Sequence, residues 1–328
     1  AAENITSDWV IACDGANSTI REKSQISFPG ENIQEQFMVA DAKMDSFLPA
    51  DEIHVFFDKG SIFPDKATIF SAFPWGAKQY RLSANLYNET PRKTFHIHEV
   101  KEVVSERTYG NFTVENVSWI SPFWIHGKIV DNFQNKSIFL LGDAAHTHSP
   151  ASGQGMNTGL QDAFNLAWKL ALVIKQNAKK VILESFQSER HPIIRNAVRK
   201  ANALTNMMVF DKKFFHKLHE FSKSLSNKEF SKQSAEELMQ LDIHYDNSPI
   251  INYGKKIAGA SPKQGMRAPN VNISDSKHLY HYLSANHTIF VFAGKEKNIS
   301  EEFIQTMKNI KMRFSDIANL YLISSDNI

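Results

Sequence analysis

"SIFLLGDAAHTHSPASGQGMNTGLQDAFNLAWKL", Ser137 to Leu170, joins three local patterns whose order is informative. Ser137–Leu141 is an unbroken apolar run, as expected of a strand covered on both faces. It ends in Gly142-Asp143, where a parallel strand delivers its last residues to the sheet edge that binds ligands in open α/β folds. Gly142 permits close backbone approach, and Asp143 offers a charged acceptor suited to a sugar-type hydroxyl. A loop with Pro150, Gly153 and Gly155 follows. Then a helix begins: Leu160, Phe164, Ala167, Ala171 and Ile174 fall at steps of three or four, with Leu166, Leu170 and Val173 beside them. The backbone N–H groups of Gly155, Met156 and Asn157 have no partner within the helix, and its positive end favours an anionic ligand atom. A phosphate is the first expectation, but the spacing argues against it. Gly153, Gly155 and Gly159 give G-x-G-x-x-x-G, one residue too long for the dinucleotide fingerprint, and they come well after the strand instead of at once.

Upstream, Trp9–Cys13 reads as a short buried strand closing on Asp14-Gly15, with a turn at Ala16-Asn17-Ser18 and Arg21 just beyond. Between Gln36 and Asn85 the pattern is β: "FMVADAKM", "EIHVFFDKG", "ATIFSAF" and "QYRLSANLY" are separated by turn residues. Strands in succession without helices suggest an antiparallel sheet. His96–Thr108 reads as a short helix, and Phe112–Trp124 returns to β. After the quoted stretch, a helical segment runs from about Val181 to Met208, kinked or restarted near His191-Pro192. Residues 211–245 are charged and helical, with "FFHKLHEF" as an apolar stripe. Beyond the Gly/Pro-rich "AGASPKQGMRAPN" come a helix-like "HLYHYL", a strand "TIFVFAG", an amphipathic helix near Glu301–Ile310 and a strand "ANLYLIS", which together suggest a small α/β unit.

Size and composition bound the rest. A chain of 328 residues allows about two domains. A formal charge of +2 gives no electrostatic reason to expect nucleic acid, and no apolar run approaches the ~20 residues of a membrane span. The one cysteine, Cys13, excludes an internal disulfide and a cysteine zinc cluster, and it is expected to be a small buried strand residue. The N-x-S/T sequons are read as chance, with the cytoplasm as compartment. Asp143, His146 and His148 match no strong metal-ligand spacing, so no metal is expected and His146 is read as a packed supporting residue.

The run G-D-A-A-H-x-x-x-P-x-x-G-Q-G-M-N-T-G-x-x-D-A-x-N-L-A-W-K-L resembles the second flavin-binding motif of the class A, FAD-dependent aromatic hydroxylases of the para-hydroxybenzoate and phenol hydroxylase type. The match runs from Gly142 through Lys169, and its "THSP" and "GQGMNT" wording is similar to the phenol and polyketide hydroxylase branch. "DWVIACDGANSTIR" resembles that family's D-G motif through Asp14, Gly15, Ser18 and Arg21. "ESFQSERHP" resembles its helix after the motif, and "GMRAPN" the start of a thioredoxin-like third domain.

The resemblance implies an α/β fold. A Rossmann-like FAD-binding domain (1–30 and 121–210), incomplete at its N-terminus for want of the G-x-G-x-x-G segment, would carry an inserted β-rich substrate domain (31–120). A helical linker (211–255) and a partial thioredoxin-like domain (256–328) would follow; with no C-x-x-C pair, that last domain has no redox role. The implied cofactor-binding residues are Gly142, Asp143, Ala144, Pro150, Gly153, Gln154, Gly155, Met156 and Asn157, with Asp14 and Arg21. Asp143 would bond the ribityl chain, and the N–H groups of Gly155–Asn157 would face the flavin N1 and C2 carbonyl. The implied reaction hydroxylates a phenolic substrate with O2, FAD and transient NADPH through a flavin C4a-hydroperoxide. No catalytic side chain is assigned; His54, Arg81 and His126 are candidates for phenol deprotonation, beside ordinary solvated or structural roles. Relatives with the third domain are often dimers, so a homodimer is one expectation. Two alternatives stand: a fragment that folds without binding FAD, and another flavoprotein of the same fold, a reductase or halogenase.

Overall fold

In a computed structural model the quoted stretch forms a short strand, a loop and a long helix, and Leu141, Ala144 and Ala145 at the start of the loop are buried in one hydrophobic core. The structure describes residues 3–58, 68–86, 92–150, 153–175, 177–210, 217, 219–220, 223–224, 227–251, 262–274, 276–292 and 300–323. They fall into two compact units, Ala1–Gly254 and Lys255–Ile328.

In the first unit, β1 (Val10–Ala12) pairs in parallel with β8 (Ile138–Leu140), and β8 pairs antiparallel with β7 (Gln134–Asn135). β8 is the middle strand of three, so Phe139 and Leu140 are fully buried. β1 is an edge strand and differs from the buried expectation: Ile11 is exposed, and so is Cys13 just beyond the strand. The larger sheet has six strands in the order β3-β4-β5-β2-β6-β9, all antiparallel. These are β2 (Gly30–Asp45), β3 (His54–Asp58), β4 (Thr68–Gly76), β5 (Gln79–Leu86), β6 (Thr113–Ile129) and β9 (His146–Thr147). One face of this sheet is closed by α2 (Ile97–Arg107), whose Val100 and Val104 pack with Met38, Met44, Phe70 and Leu82 in one core. A second core gathers Phe133, Phe139, Leu140, Leu166, Phe186 and Ile194 from around β8, and a third, smaller one joins Phe37, Ile69 and Ile125.

β9 explains how the loop is positioned. Only a few residues after β8 ends, His146 and Thr147 pair with Ile129 and Lys128 of the long strand β6. The chain therefore leaves one sheet and is stitched to the other before α3 (Gly155–Ile174) begins.

α3 corrects a sequence expectation. Its apolar face divides: Leu166 and Leu170 are buried, whereas Met156, Leu160, Phe164 and Ile174 are exposed. The face turned inward also carries Asp162, Asn165 and Lys169, each buried. The packing neighbour is α4 (Glu184–Phe210), which runs through Pro192 without a break. Proline removes one helical N–H donor, but its neighbours Glu189, Arg190, His191 and Ile194 are all buried, and His191 Nε2 lies 3.1 Å from the Val130 carbonyl oxygen. Those anchors hold the turn that the sequence expected to give way. Farther along, α5 (Lys228–Leu238) is capped by Asn227; the "FFHKLHEF" stripe lies largely outside the described residues.

The second unit holds a short hairpin, β10 (Asn272–Ser274) with β11 (Lys277–His278), followed by β12 (His287–Phe292), α6 (Glu301–Phe314) and β13 (Ala318–Ile323). β12 and β13 are parallel, from His287 opposite Ala318 to Phe292 opposite Ile323. The helix-like "HLYHYL" is a single 3-10 turn, Leu279–Tyr282, after β11. Among the described residues, no helix is long and apolar enough to cross a membrane.

Candidate functional site

The site starts with a contact that glycine alone permits. Gly142 opens a 3-10 turn, Gly142–Ala144, with φ at +55°, where a side chain is strained. Gly159, one turn into α3, lies against it; a Cβ there would come 3.2 Å from the Gly142 Cα. The strand end and the first turn of the helix can therefore meet backbone to backbone. Gly142 N–H donates to Asp162 Oδ2 at 3.3 Å, which ties the turn to the buried face of α3.

A cavity of about 690 Å³ opens beside this contact, lined by Gly142, Asp143, Pro150, Gly153, Gly155 and Met156 together with Cys13, Gly15, His148 and Gly159. Six of the residues expected to hold a cofactor are thus brought together. Gln154, at the N-cap of α3, makes no side-chain bond to the first turn; its amide turns away to the carbonyls of Glu237 and Leu238. The turn's N–H groups at Gly155, Met156 and Asn157 are left for an acceptor from outside the helix, and no acidic side chain sits in it.

The remaining expected residues are placed otherwise. Ala144 is fully buried beneath the turn. Asp14 is taken up locally: it accepts from the Ser18 hydroxyl and from Ile20 N–H at 3.1 Å. Slight burial opposes the shift, but these bonds hold its carboxyl below the usual range. Arg21 is neither on this cavity nor a surface charge. It is buried, donates to the carbonyls of Ala144 at 2.8 Å and Ala16 at 2.7 Å, and lies 3.9 Å over the Phe28 ring. It clasps α1 (Thr19–Lys23) to the Gly142 turn.

A second cavity, about 570 Å³, lies on the face of the large sheet away from α2's core. Phe37, Val39, Ile69, Phe73, Phe123, Trp124 and Ile125 give it an apolar, largely aromatic lining, with Met208 from α4. Asp143, His148, Ser149 and Pro150 line both cavities and form the wall between them. Arg81 and His126 also reach this cavity, but both are engaged. Arg81 makes a two-pronged bond to Asp41, 2.8 Å on each prong, and His126 Nδ1 lies 2.8 Å from Asn32 Oδ1. His54 lies elsewhere, 3.0 Å from the Pro49 carbonyl oxygen. Among the described residues, no group of three or more His, Cys, Asp or Glu is placed to hold a metal ion.

Sequence reasoning missed His148, Ser149 and most of the sheet-side lining. His148 stood in the quoted loop beside the residues that were chosen. The sheet-side residues come from four separate strands, and no local spacing links them.

Burial, then the nearby His146, pulls His148 from the ordinary histidine value of 6.5 to about 4, against the attraction of Asp143 and Asp162. The folded chain thus refuses a proton that the unfolded chain accepts below pH 6.5. Its contribution to stability is complete above that pH and is lost as pH falls toward 4, on the order of 3 kcal/mol in all. His126 and His191, also lowered chiefly by burial, act in the same direction. Urea unfolding at pH 7 and pH 4.5 is expected to show this loss, and His148→Gln to remove the largest share. An unchanged pH dependence in that variant would rule the assignment out.

The profile of a family described as FAD binding domain matches residues 1–201. The chain is 29% identical over 293 residues to an uncharacterized aromatic compound monooxygenase, YhjG, of Bacillus subtilis, covering 86% of this chain and 55% of that protein. It is 26% identical over 301 residues to the 12-dehydrotetracycline 5-monooxygenase/anhydrotetracycline 6-monooxygenase of Streptomyces rimosus, covering 90% of this chain and 58% of the relative. The structure of the anhydrotetracycline hydroxylase OxyS from Streptomyces rimosus superposes with a TM-score of 0.72 at 24% identity, over 96% of this chain and 59% of that one. The chain spans little more than half the length of these relatives. With the flavin-monooxygenase fold in place and a match across its first 201 residues, the chain belongs to the FAD-binding domain family.

Proposed function

We propose that this chain forms the flavin and substrate sites of an FAD- and NADPH-dependent monooxygenase that hydroxylates an aromatic ring. One observation carries this: the cavity at the uncapped start of α3 shares a wall with an aromatic-lined cavity on the large sheet. The residues present fit a flavin. The N–H groups of Gly155, Met156 and Asn157, which meet no side-chain cap among the described residues, suit the pyrimidine edge of the ring system, where reduction places negative charge, and the positive helix end stabilises it. Asp143, exposed on the cavity wall, is an acceptor for ribityl hydroxyls. Gly153 and Gly155 would admit close approach of the ring system, and Pro150, which lines both cavities, would stand between flavin and substrate.

When bound, FAD supplies electron uptake from NADPH and oxygen transfer from O2. The chain's own task is to orient and to exclude water. The apolar lining of the sheet-side cavity takes the aromatic ring out of solvent, and the Pro150 wall sets it beside the flavin cavity. Arg21 supports the Gly142 turn through the Ala144 carbonyl, and Asp14 caps the start of α1 beside the cavity-lining Cys13 and Gly15. We read residues 1–30 with 121–210 as the FAD-binding domain, 31–120 as the substrate domain, 211–255 as the linker and 256–328 as part of a thioredoxin-like domain. A cytoplasmic homodimer fits the single cysteine and the resemblance.

The test is titration of the purified chain with FAD, followed by flavin fluorescence and the visible spectrum. Uptake is expected, with Asp143→Ala binding at least about tenfold more weakly through loss of a charge-assisted bond. A folded chain that takes up no FAD would favour the alternative of a part that folds without its cofactor.

A further inference from the structure

The wall between the cavities carries polar groups that the fold leaves unanswered. Both imidazole nitrogens of His148 and the hydroxyl of Thr147 are buried, with no hydrogen-bond partner among the described residues. Such groups are rare in native proteins, because each gives up its water without compensation, and a bound molecule is a common answer. Several other polar groups on the sheet-side cavity are engaged: Thr205 donates to the Ser149 hydroxyl, Arg81 holds Asp41, and His126 meets Asn32. With its one arginine already neutralised by Asp41, the cavity is poorly suited to an anionic ligand and well suited to an uncharged aromatic one.

The position of His148 is itself fixed. Its ring stacks on His146 with centroids 5.9 Å apart and planes at 11°. Its Nε2 stands 3.4 Å from where a side chain on Gly155 would begin, so the imidazole lies against the first residue of α3. Burial keeps the ring neutral at pH 7, and a neutral imidazole presents one N–H and one lone pair. That complement matches a hydroxyl, which also donates one bond and accepts others.

We propose that His148, with Thr147 beside it, seats the hydroxyl oxygen of a neutral phenolic ring in the sheet-side cavity and so sets which ring edge faces the flavin cavity. Taking the sheet-side cavity as the substrate cavity rests on the function proposed above; the hydrogen-bonding assignment rests on the unpartnered groups themselves.

The experiment compares β-naphthol with naphthalene, which differ by one hydroxyl, in equilibrium dialysis against the purified chain without flavin. The wild-type chain is expected to prefer β-naphthol by about tenfold or more, because a site built to bond a hydroxyl discriminates against the analogue that lacks it. His148→Ala should bring the two affinities to within about twofold. His148→Asn, which keeps a donor and an acceptor, should retain part of the preference, and Thr147→Val should lower it. Circular dichroism checks each fold; if His148→Ala does not fold, the Asn and Val variants decide. A preference unchanged in the folded variants, equal affinities in the wild-type chain, or no binding of either compound would overturn the proposal. FAD uptake is measured in parallel. A chain that takes up no flavin, yet loses its naphthol preference in His148→Ala, would retire the flavin assignment and keep the hydrogen-bonding pair.

Discussion

Asp162→Ala is expected to destabilise the chain by about 3–5 kcal/mol, because it strands a buried cation. Asp162 is fully buried and sits at the centre of the α3–α4 contact. Arg190 Nε donates to its Oδ1 at 2.9 Å, His146 Nε2 lies 2.7 Å from its Oδ2, and Gly142 N–H reaches the same oxygen. Arg190 keeps secondary bonds to Gln161 and the Thr158 carbonyl, but no other carboxylate bonds it among the described residues. The loss is read from urea unfolding at pH 7. Pairing the change with Arg190→Met should recover much of it, since removing both charges avoids the cost of one left alone. A single-variant loss below about 1 kcal/mol, the range of an exposed pair, would mean that water reaches the guanidinium. Because Asp162 also holds the Gly142 turn, the folded fraction of the variant should bind FAD more weakly.

Glu189→Ala should cost a similar amount, about 3–5 kcal/mol, with a pH dependence that identifies its cause. Lys169 is fully buried, and its ammonium donates to Glu189 Oε2 at 2.6 Å and to Asn165 Oδ1 at 2.8 Å. Glu189 accepts from Asn165 and Ser248 as well. Burial pushes the Lys169 ammonium below its ordinary value of 10.5, and the bond to Glu189 opposes that shift. Without Glu189 the folded-state value falls further. The unfolded chain then binds the extra proton over a wider interval below 10.5, and stability rises with pH across it. The deficit is therefore expected to be largest at pH 7 and smaller by pH 10. A deficit that stays constant between those values would show that lost packing, not the stranded charge, is responsible. Lys169→Met in the same chain should restore much of the stability.

These two networks show where the sequence stops. Strand, turn and helix were legible from Ser137 to Ile174, because an apolar run, a Gly-Asp step and a three-to-four periodicity are local properties of the chain. The antiparallel strands and α2 could be read for the same reason. Periodicity places residues around a helix axis, but it does not say which side meets a neighbour. Leu160, Phe164 and Ile174 formed a convincing apolar stripe, yet they are exposed, while Asp162, Asn165 and Lys169 are buried. Their partners Glu189 and Arg190 lie on another helix, and only packing makes burial of those charges tolerable.

The site divides in the same way. Gly142, Asp143, Pro150, Gly153, Gly155 and Met156 were legible because they share one loop, and that loop wraps one cavity. Arg21 could not be placed from its neighbours in sequence, since its carbonyl acceptor at Ala144 is 123 residues away. The sheet-side cavity was invisible for a similar reason: its lining comes from β2, β4, β5 and β6 and becomes a surface only when those strands pair. The sequence by itself determined the elements and the loop that lines the first cavity. Tertiary structure alone decided which charges are buried and which side chains face the second cavity, because both depend on contacts between segments far apart in the chain.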